Sequence, residues 1–409
     1  MIQNKLRILH CPTDTGGNSC GLAFAEQKVG LNSWSIAFRK SYINYTCSET
    51  LWSDNENYIA GEAKRWRLLW RAIRDFDVIH FNFGRSIMPH RIPQKILKRN
   101  IGNPLLRGIY GAYAALFELR DIPLLKRMGK GIVVTYQGSD ARQSMDSPSR
   151  WNDRKKARIE VFSKYADRIY ALNPDLLRVL PERSTFMPYT HIDLQEWSME
   201  KKAPRDLSVP LVIHAPTHKE IKGTKYILDA VDRLKKEGVD FEFKLVEGLS
   251  NAEARKIYER ADLCIDQLLV GWYGGLSVEL MALSKPVICY IREEDLKFIP
   301  REMADEIPII NATPSTMYGV LKEWLTGRKN ELSERGAAGR KYVERWHDPL
   351  KIAEMLKREY DAIVKRPKIV SSPKYKSQAP RNDNDGRANS NARPSRNDGI
   401  EAAMTSRRR

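Results

Sequence analysis

The run from Ala261 to Ile291, ADLCIDQLLVGWYGGLSVELMALSKPVICYI, constrains the fold more than any other part of this 409-residue chain. Leu263 to Ile265 reads as a short buried strand, the loop after it ends in the pair Gly274-Gly275, and LSVELMAL reads as a helix. Lys285-Pro286 stops that helix, because proline has no amide hydrogen to donate and clashes with the preceding turn. VICYI then resumes a strand. Free N–H groups at a helix N-terminus point outward, and the helix dipole favours negative charge there. Glu279, one turn into the helix, can accept hydrogen bonds from hydroxyls of the same ligand. Phosphate and hydroxyl recognition on one loop-helix unit points to a nucleotide diphosphate. Taken alone, the unit also fits an ordinary βαβ crossover with glycines for close packing.

The unit resembles the donor-binding motif of retaining GT-B glycosyltransferases, roughly E-x-F-G-L-x-x-x-E-A-M-A-x-G-x-P-V. Glu279 matches the glutamate that holds the ribose, and Gly274, Gly275 and Leu276 match the amide turn that holds the diphosphate and donor sugar. Lys285-Pro286-Val287 matches the exit. The first glutamate of the motif falls at Gly271, a departure, and Trp272 and Tyr273 follow it as candidate contacts to sugar and acceptor.

Other segments follow in the order the resemblance requires. KLRILHCPTDTGGNSCGLA gives a strand (Leu6 to His10), a loop carrying Gly16 and Gly17, and a helix. In the family this glycine pair lies against donor phosphates or acceptor. A nicotinamide-binding unit would need G-x-G-x-x-G and an acid about 20 residues on; the chain has GGNSCG and then Arg39-Lys40. FDVIHFNFG (Phe76 to Gly84) and GIVVTYQGSDAR (Gly131 to Arg142) read as buried parallel strands ending in polar turns. Gln137 stands where the family has a histidine near the transferred sugar, while Gly138 and Asp140 match. YADRIYALNPDLLRVL and MPYTHIDLQEW resemble the segments that close the first domain.

Near Leu211, VIHAPTHKEIKGTKYILDAVDRLKKEG opens a second domain with a strand, a polar loop and an amphipathic helix with apolar Tyr226, Ile227, Ala230, Val231 and Leu234. Lys222-Gly223 matches the family's Lys-Gly, whose lysine neutralises the diphosphate. Lys219 is the first choice for the positive charge that an arginine supplies in the family; both lysines also fit a solvated surface. His214 and His218 lie four apart without a third ligand nearby, so zinc is not expected. Asp75-Phe76-Asp77 spells the Asp-x-Asp of metal-dependent transferases but precedes its strand, and Asp383-Asn384-Asp385 lies in a polar tail. Diphosphate binding without a metal is expected, with cationic side chains and helix dipoles neutralising charge.

Length suits two or three domains, and no stretch reaches the roughly 18 to 20 apolar residues of a membrane span. GIYGAYAALFEL comes nearest and is bounded by Arg107 and Glu118 to Arg120. The first strand begins almost at once, which leaves no room for a signal peptide. The five cysteines lack metal or redox spacing and are expected as reduced thiols, Cys264 and Cys289 within strands. Residues 366–409 carry eleven Lys/Arg against four Asp/Glu, part of a net charge of +18, in a polar run without periodicity that is expected to be disordered. Basic residues also cluster in GEAKRWRLLWRAIRDF, where Lys64, Arg65, Arg67 and Arg71 stand among tryptophans, and between Arg91 and Lys130. An anionic membrane surface fits them, as does an ordinary solvated helix packing its Trp and Leu face on the core. No nucleic-acid motif accompanies them.

The expected architecture is α/β: two doubly wound Rossmann-like domains facing a cleft, at 1–200 and 205–348, with a helix at 349–365 crossing back to the first and a disordered tail at 366–409. The resemblance implies a cytoplasmic hexosyltransferase of polysaccharide biosynthesis, metal-independent and without a cofactor. It would move sugar with retention from a nucleotide sugar donor to a glycan, lipid-linked or other hydroxyl acceptor, peripherally on the inner face of the membrane if the basic surface docks there. A catalytically lapsed binding or scaffold protein and a nucleotide-sugar epimerase or hydrolase are the alternatives. Lys222, Lys219, Gln137 and Asp140 are the candidate catalytic residues, and Gly16, Gly17, Trp272, Tyr273, Gly274, Gly275, Leu276 and Glu279 the candidate substrate contacts.

Overall fold

Apolar runs closed by glycine or proline turns form two sheets in which every strand pairing is parallel. The computed structural model describes residues 5–39, 45–53, 58–91, 101–142, 149–198 and 209–365. The first half runs β1 (Arg7–Cys11), α1 (Asn18–Lys28), β2 (Asn32–Ala37), β3 (Glu49–Thr50), α2 (Tyr58–Asp75) and β4 (Val78–Asn82). It continues through α3 (Pro104–Phe117), α4 (Asp121–Arg127), β5 (Gly131–Tyr136), α5 (Ser149–Tyr165), β6 (Arg168–Ala171) and β7 (Thr185–Phe186). Its sheet order is β3-β2-β1-β4-β5-β6-β7. β4 and β5 are buried along their whole length, which is why VIHFN and GIVVTY read as continuous rather than alternating patterns.

The second half starts at β8 (Leu211–His214) and continues through α6 (Lys219–Lys222), α7 (Thr224–Lys236), β9 (Glu242–Leu245), α8 (Asn251–Tyr258), β10 (Leu263–Ile265) and α9 (Gly275–Ala282). β11 (Val287–Cys289), α10 (Arg301–Asp305), β12 (Ile310–Asn311), α11 (Met317–Thr326), α12 (Leu332–Trp346) and α13 (Pro349–Lys365) follow. Its sheet order is β12-β11-β10-β8-β9. In each sheet the strand order reverses once, between β1 and β4 and between β8 and β10. Connections leave such a point in opposite directions, so a crevice opens at the carboxyl ends of the strands.

The two halves share one apolar cluster, from Ile8, Val133 and Tyr170 to Cys264, Trp272 and Tyr360. Between α12 and α13 the chain turns at His347-Asp348. Pro349 cannot continue a helix and is favoured in a first turn, and Asp348 Oδ1 accepts the Leu350 N–H at 2.9 Å. The turn sends α13 back against the first sheet. There the Tyr360 hydroxyl donates to Glu26 Oε1 at 2.9 Å and lies 2.8 Å from His80 Nδ1, while Arg168 pairs with Glu359 at 2.5 Å. Glu26 also accepts from Ser33 Oγ and lies 2.8 Å from His10 Nε2, so this buried carboxylate ties α1, β2 and α13 together.

Three expectations change. Cys20 and Cys47 form a disulfide, with Cα atoms 4.9 Å apart, because the chain after β2 returns beside α1; a spacing of 27 residues carries no sign of that proximity. Cys11, Cys264 and Cys289 are buried thiols. On α2 the basic residues turn inward: Arg65 bonds Glu62 and the Ile87 carbonyl, Lys64 bonds the Leu51 carbonyl, and Arg71 pairs with Glu49. Only Arg67 of those four lies open. On α7, Ile227, Ala230, Val231 and Leu234 are buried, while Tyr226 faces solvent. The tail at 366–409, its Asp-x-Asp, the basic stretch at 92–100 and the boundary between 200 and 205 lie outside the described residues.

Tyr360→Phe removes both hydroxyl bonds that dock α13. It should cost about 1–3 kcal/mol in urea unfolding while leaving ligand affinity in the cleft unchanged.

Candidate functional site

The reversal point of the second sheet is organised by Asp266, the first residue after β10. Its carboxylate is fully buried. Oδ2 accepts the Gly274 N–H at 2.9 Å and the Ser277 hydroxyl at 2.7 Å, and Oδ1 accepts Lys222 Nζ at 2.8 Å. Burial alone would raise its pKa, but the Lys222 charge and these three hydrogen bonds outweigh it and hold the carboxyl below its usual range. Gly274 is needed for this approach: a Cβ there would sit 3.2 Å from Lys222 Nζ and 3.3 Å from Asp266 Oδ2. The knot draws α6 and the N-terminus of α9 to one place. It also consumes the Gly274 amide; Gly275 and Leu276, whose first-turn amides have no partner within the helix, line the crevice. An ammonium has three protons, so Lys222 keeps two beyond the one given to Asp266.

Lys222, Gly274, Gly275, Leu276 and Glu279 line one cavity of about 320 Å³ with Gly16, Gln137 and Arg142 from the first half. Glu279 is buried. Its Oε1 accepts the Tyr45 hydroxyl at 2.6 Å and Asn251 Nδ2 at 2.8 Å, and His191 Nε2 stands 3.6 Å away. Burial pushes the Glu279 carboxyl up to about 7 against the pull of the Tyr45 and Asn251 bonds. The Tyr45 ring covers Gly17, so a side chain from the first half closes over the second-half glutamate. Tyr45 and Asn251 form a wall between this cavity and another of about 890 Å³, on which Gly17 lies.

The opposite wall comes from the turn after β5. Asp140 accepts the backbone N–H groups of Gln137 and Gly138, the latter at 2.6 Å, and so shapes that turn without lining the cavity. Burial raises its carboxyl to about 6 despite those bonds. Gln137 is buried, and neither its amide nitrogen nor its amide oxygen has a partner among the described residues. Buried polar groups are nearly always bonded, so an unpaired amide on a cavity wall is a ready contact for a polar ligand. Arg142, also on the wall, is held by Asp175 through Nε at 2.6 Å and a second nitrogen at 3.0 Å.

Besides Gly17 and Asp140, three further candidates do not line the cavity. Lys219 pairs with Glu247 at 2.8 Å, more than half exposed, and does not line the cavity; Arg142 is the second cation there. Trp272 and Tyr273 are fully buried, stacked on each other at 4.3 Å, and Tyr273 bonds Tyr342 and His347. They are core residues because the loop after β10 folds back over α12 before reaching Gly274. Gly271, at the position of the missing glutamate, has φ +86°, and a Cβ there would lie 2.9 Å from the Arg292 side chain, so glutamate does not fit. Asp266, Tyr45, Asn251, His191 and Arg142 escaped the sequence reading. Asp266 alone left a signal, a lone acid closing an apolar strand; the others are joined to the site by tertiary contacts.

In sequence the chain matches no family model and no curated protein. In structure it is similar to a sucrose-phosphate synthase from Thermosynechococcus elongatus, with 13% identity, a TM-score of 0.56, and 88% of this chain and 99% of that one covered. It is similar to a glycosyltransferase from Rickettsia africae, at 13% identity and TM-score 0.55 over 89% of this chain and all of that one. The chain has the GT-B fold. A protein described as a UDP-N-acetylglucosamine 2-epimerase from Listeria monocytogenes shares the architecture, at 12% identity and TM-score 0.51, with 87% of this chain and 95% of that one covered.

Asp266→Asn leaves the Lys222 ammonium unpaired and mostly buried. It should cost about 3–5 kcal/mol by denaturant unfolding, and Asp266→Asn with Lys222→Met should recover part of that loss. For Glu279, the folded protein holds its proton more tightly than the unfolded chain. Stability from the neutral form is therefore full below about 4.5 and lost as pH rises through about 7. Glu279→Gln should match the wild type near pH 4.5 and exceed it at pH 8 by up to about 3 kcal/mol. A less stable variant at pH 8 would reject the assignment.

Proposed function

We propose that this protein transfers a hexose from a nucleotide diphosphate sugar to a hydroxyl acceptor with retention of anomeric configuration. The observation that carries the reading is the joint placement of Glu279, Lys222 and the Gly275 and Leu276 amides on a cavity at the reversal point of the second sheet, facing the unpaired Gln137 amide of the first. Glu279 Oε2, free of the Tyr45 and Asn251 bonds, accepts a ribose hydroxyl. The two spare Lys222 protons and the two amides hold the diphosphate, and Gln137 meets the sugar. As the bond from the anomeric carbon to the diphosphate oxygen breaks, the acceptor oxygen bonds that carbon on the same face. The acceptor proton passes to the departing phosphate oxygen, giving a glycoside and a nucleoside diphosphate. Charge growing on the leaving oxygen is stabilised by Lys222 and the α9 dipole, which need not reorganise. Neutralisation by these groups makes the reading a metal-independent one. The acceptor is a glycan or lipid-linked hydroxyl, as in polysaccharide biosynthesis, handled in the cytoplasm. The likeness to an epimerase supports a second reading, in which the donor is rearranged or hydrolysed without an acceptor.

Calorimetry with a panel of nucleotide sugars, followed by product analysis, tests both readings. Glu279→Ala should weaken nucleotide affinity by roughly 10- to 100-fold, the worth of a charged hydrogen bond. Lys222→Ala should lower turnover by about 100-fold or more, a loss of roughly 2.7 kcal/mol at the barrier, at a temperature where it remains folded. Full turnover in that variant would remove the diphosphate assignment. Donor consumption with no acceptor present would move the reading to the epimerase or hydrolase, and a wild type that binds donors but consumes none would make it a scaffold.

A further inference from the structure

Helix α3, PLLRGIYGAYAALF, carries a single charged residue, Arg107, yet only Ala114 of its fourteen residues is buried. It is a well-started helix: Pro104 occupies its first turn and Asn103 Oδ1 accepts the N–H groups of Leu105 at 2.9 Å and Leu106 at 3.3 Å. One face packs on α2. The Tyr113 hydroxyl donates to Glu62 at 2.9 Å and accepts from Trp66 Nε1 at 2.9 Å, and Phe117 meets the Trp66 ring edge-on at 5.2 Å. The other face has no cover among the described residues. Leu105, Ile109, Ala112 and Leu116 follow at i, i+4, i+7 and i+11, one stripe along the helix. The three large residues of that stripe are 72%, 58% and 63% exposed, with Leu106 beside them at 52%. Trp66 and Trp70, one turn apart on α2, extend the apolar surface at 41% and 59% exposure.

Single exposed apolar residues are ordinary, but a contiguous stripe marks an interaction surface. We propose that α3, with Trp66 and Trp70, seats this protein in the interface of an anionic lipid bilayer, helix axis in the membrane plane. Fourteen helical residues span about 21 Å, short of a hydrocarbon core of about 30 Å, and no described helix is long and apolar enough to cross a membrane. Tryptophan is the side chain enriched at the boundary between headgroups and acyl chains. Exposed Arg67 between the two tryptophans and Arg120 just past α3 offer partners for anionic headgroups. The occupant follows from charge. A second copy would bring together two chains of net charge +18, whereas an anionic lipid surface complements them. The seat differs from the one the sequence suggested: α2 spends Lys64, Arg65 and Arg71 on internal bonds, and the inserting surface belongs to its neighbour. Together with the transfer proposed above, a membrane seat makes the acceptor a lipid-linked hydroxyl; the seat itself does not depend on that reaction.

Co-sedimentation of the full chain with phosphatidylcholine vesicles, with and without phosphatidylglycerol and with no donor present, tests the seat separately from catalysis. The wild type should bind the anionic vesicles, and Ile109→Glu with Leu116→Glu should bind them at least about tenfold more weakly, since each glutamate replaces an inserting side chain with a charge. The basic C-terminal residues are common to both proteins, so the difference reports α3. Brominated acyl chains should quench wild-type tryptophan fluorescence and quench Trp66→Phe with Trp70→Phe much less. Should the double glutamate variant not fold, Ile109→Ser with Leu116→Ser takes its place, with the same order expected. Equal binding of wild type and a folded variant, or binding of neither, would overturn the proposal. So would a dimer in light scattering that the variant abolishes, which would make a second copy the cover.

Discussion

The site depends on one buried carboxylate. Asp266 lies where the second sheet reverses its strand order, and its two oxygens take up a lysine, a backbone amide and a hydroxyl from two separate segments. A lone charge in that position would be costly. Once its bonds form, α6 and α9 are brought together at the mouth of the sheet. That placement gives Lys222 a fixed ammonium with protons to spare and directs the α9 N-terminus into the crevice. Gly274 follows from the same constraint, since any side chain there would press on the ion pair.

The two halves meet over this knot through side chains rather than through one continuous sheet. Tyr45 reaches Glu279, Arg178 pairs with the buried Asp295, and Arg340 bonds the Leu194 and Trp197 carbonyls. The Cys20–Cys47 disulfide fixes the segment that carries Tyr45 against α1. A ligand that uses Glu279 therefore meets a carboxylate already engaged by the opposite half.

The central parallel strands were legible because they are buried on both faces: LCI, LVIH, VIHFN and GIVVTY leave no alternation to misread, and the last three end in a turn that glycine or proline marks. Helix α9 was legible from its glycines and the Lys285-Pro286 stop. Lys219 marks the limit of local pattern. Lysines at i and i+3 look equivalent in a loop, yet one is captured by Glu247 and the other by Asp266, and those partners lie in the loops after two different strands. Trp272 and Tyr273 read as site residues by adjacency to Gly274, and only the path of the loop decides that they pack inward, Trp272 against Phe186 and Tyr273 against Tyr342 and His347.

The sequence by itself determined the class of the fold, its central strands and the glycine-led helix at the second crevice, because these follow from local hydrophobic pattern, turn chemistry and helix-end physics. The tertiary structure decided which polar groups are engaged and which are left open. The Gln137 side-chain amide has no partner among the described residues, and Glu279 is held by Tyr45, because residues far apart in the chain converge on them. Cysteine pairing and the bare face of α3 belong to the same class of fact. A charge or an apolar stripe has its meaning set by what stands opposite, and that neighbour is chosen by the fold rather than by the local run of residues.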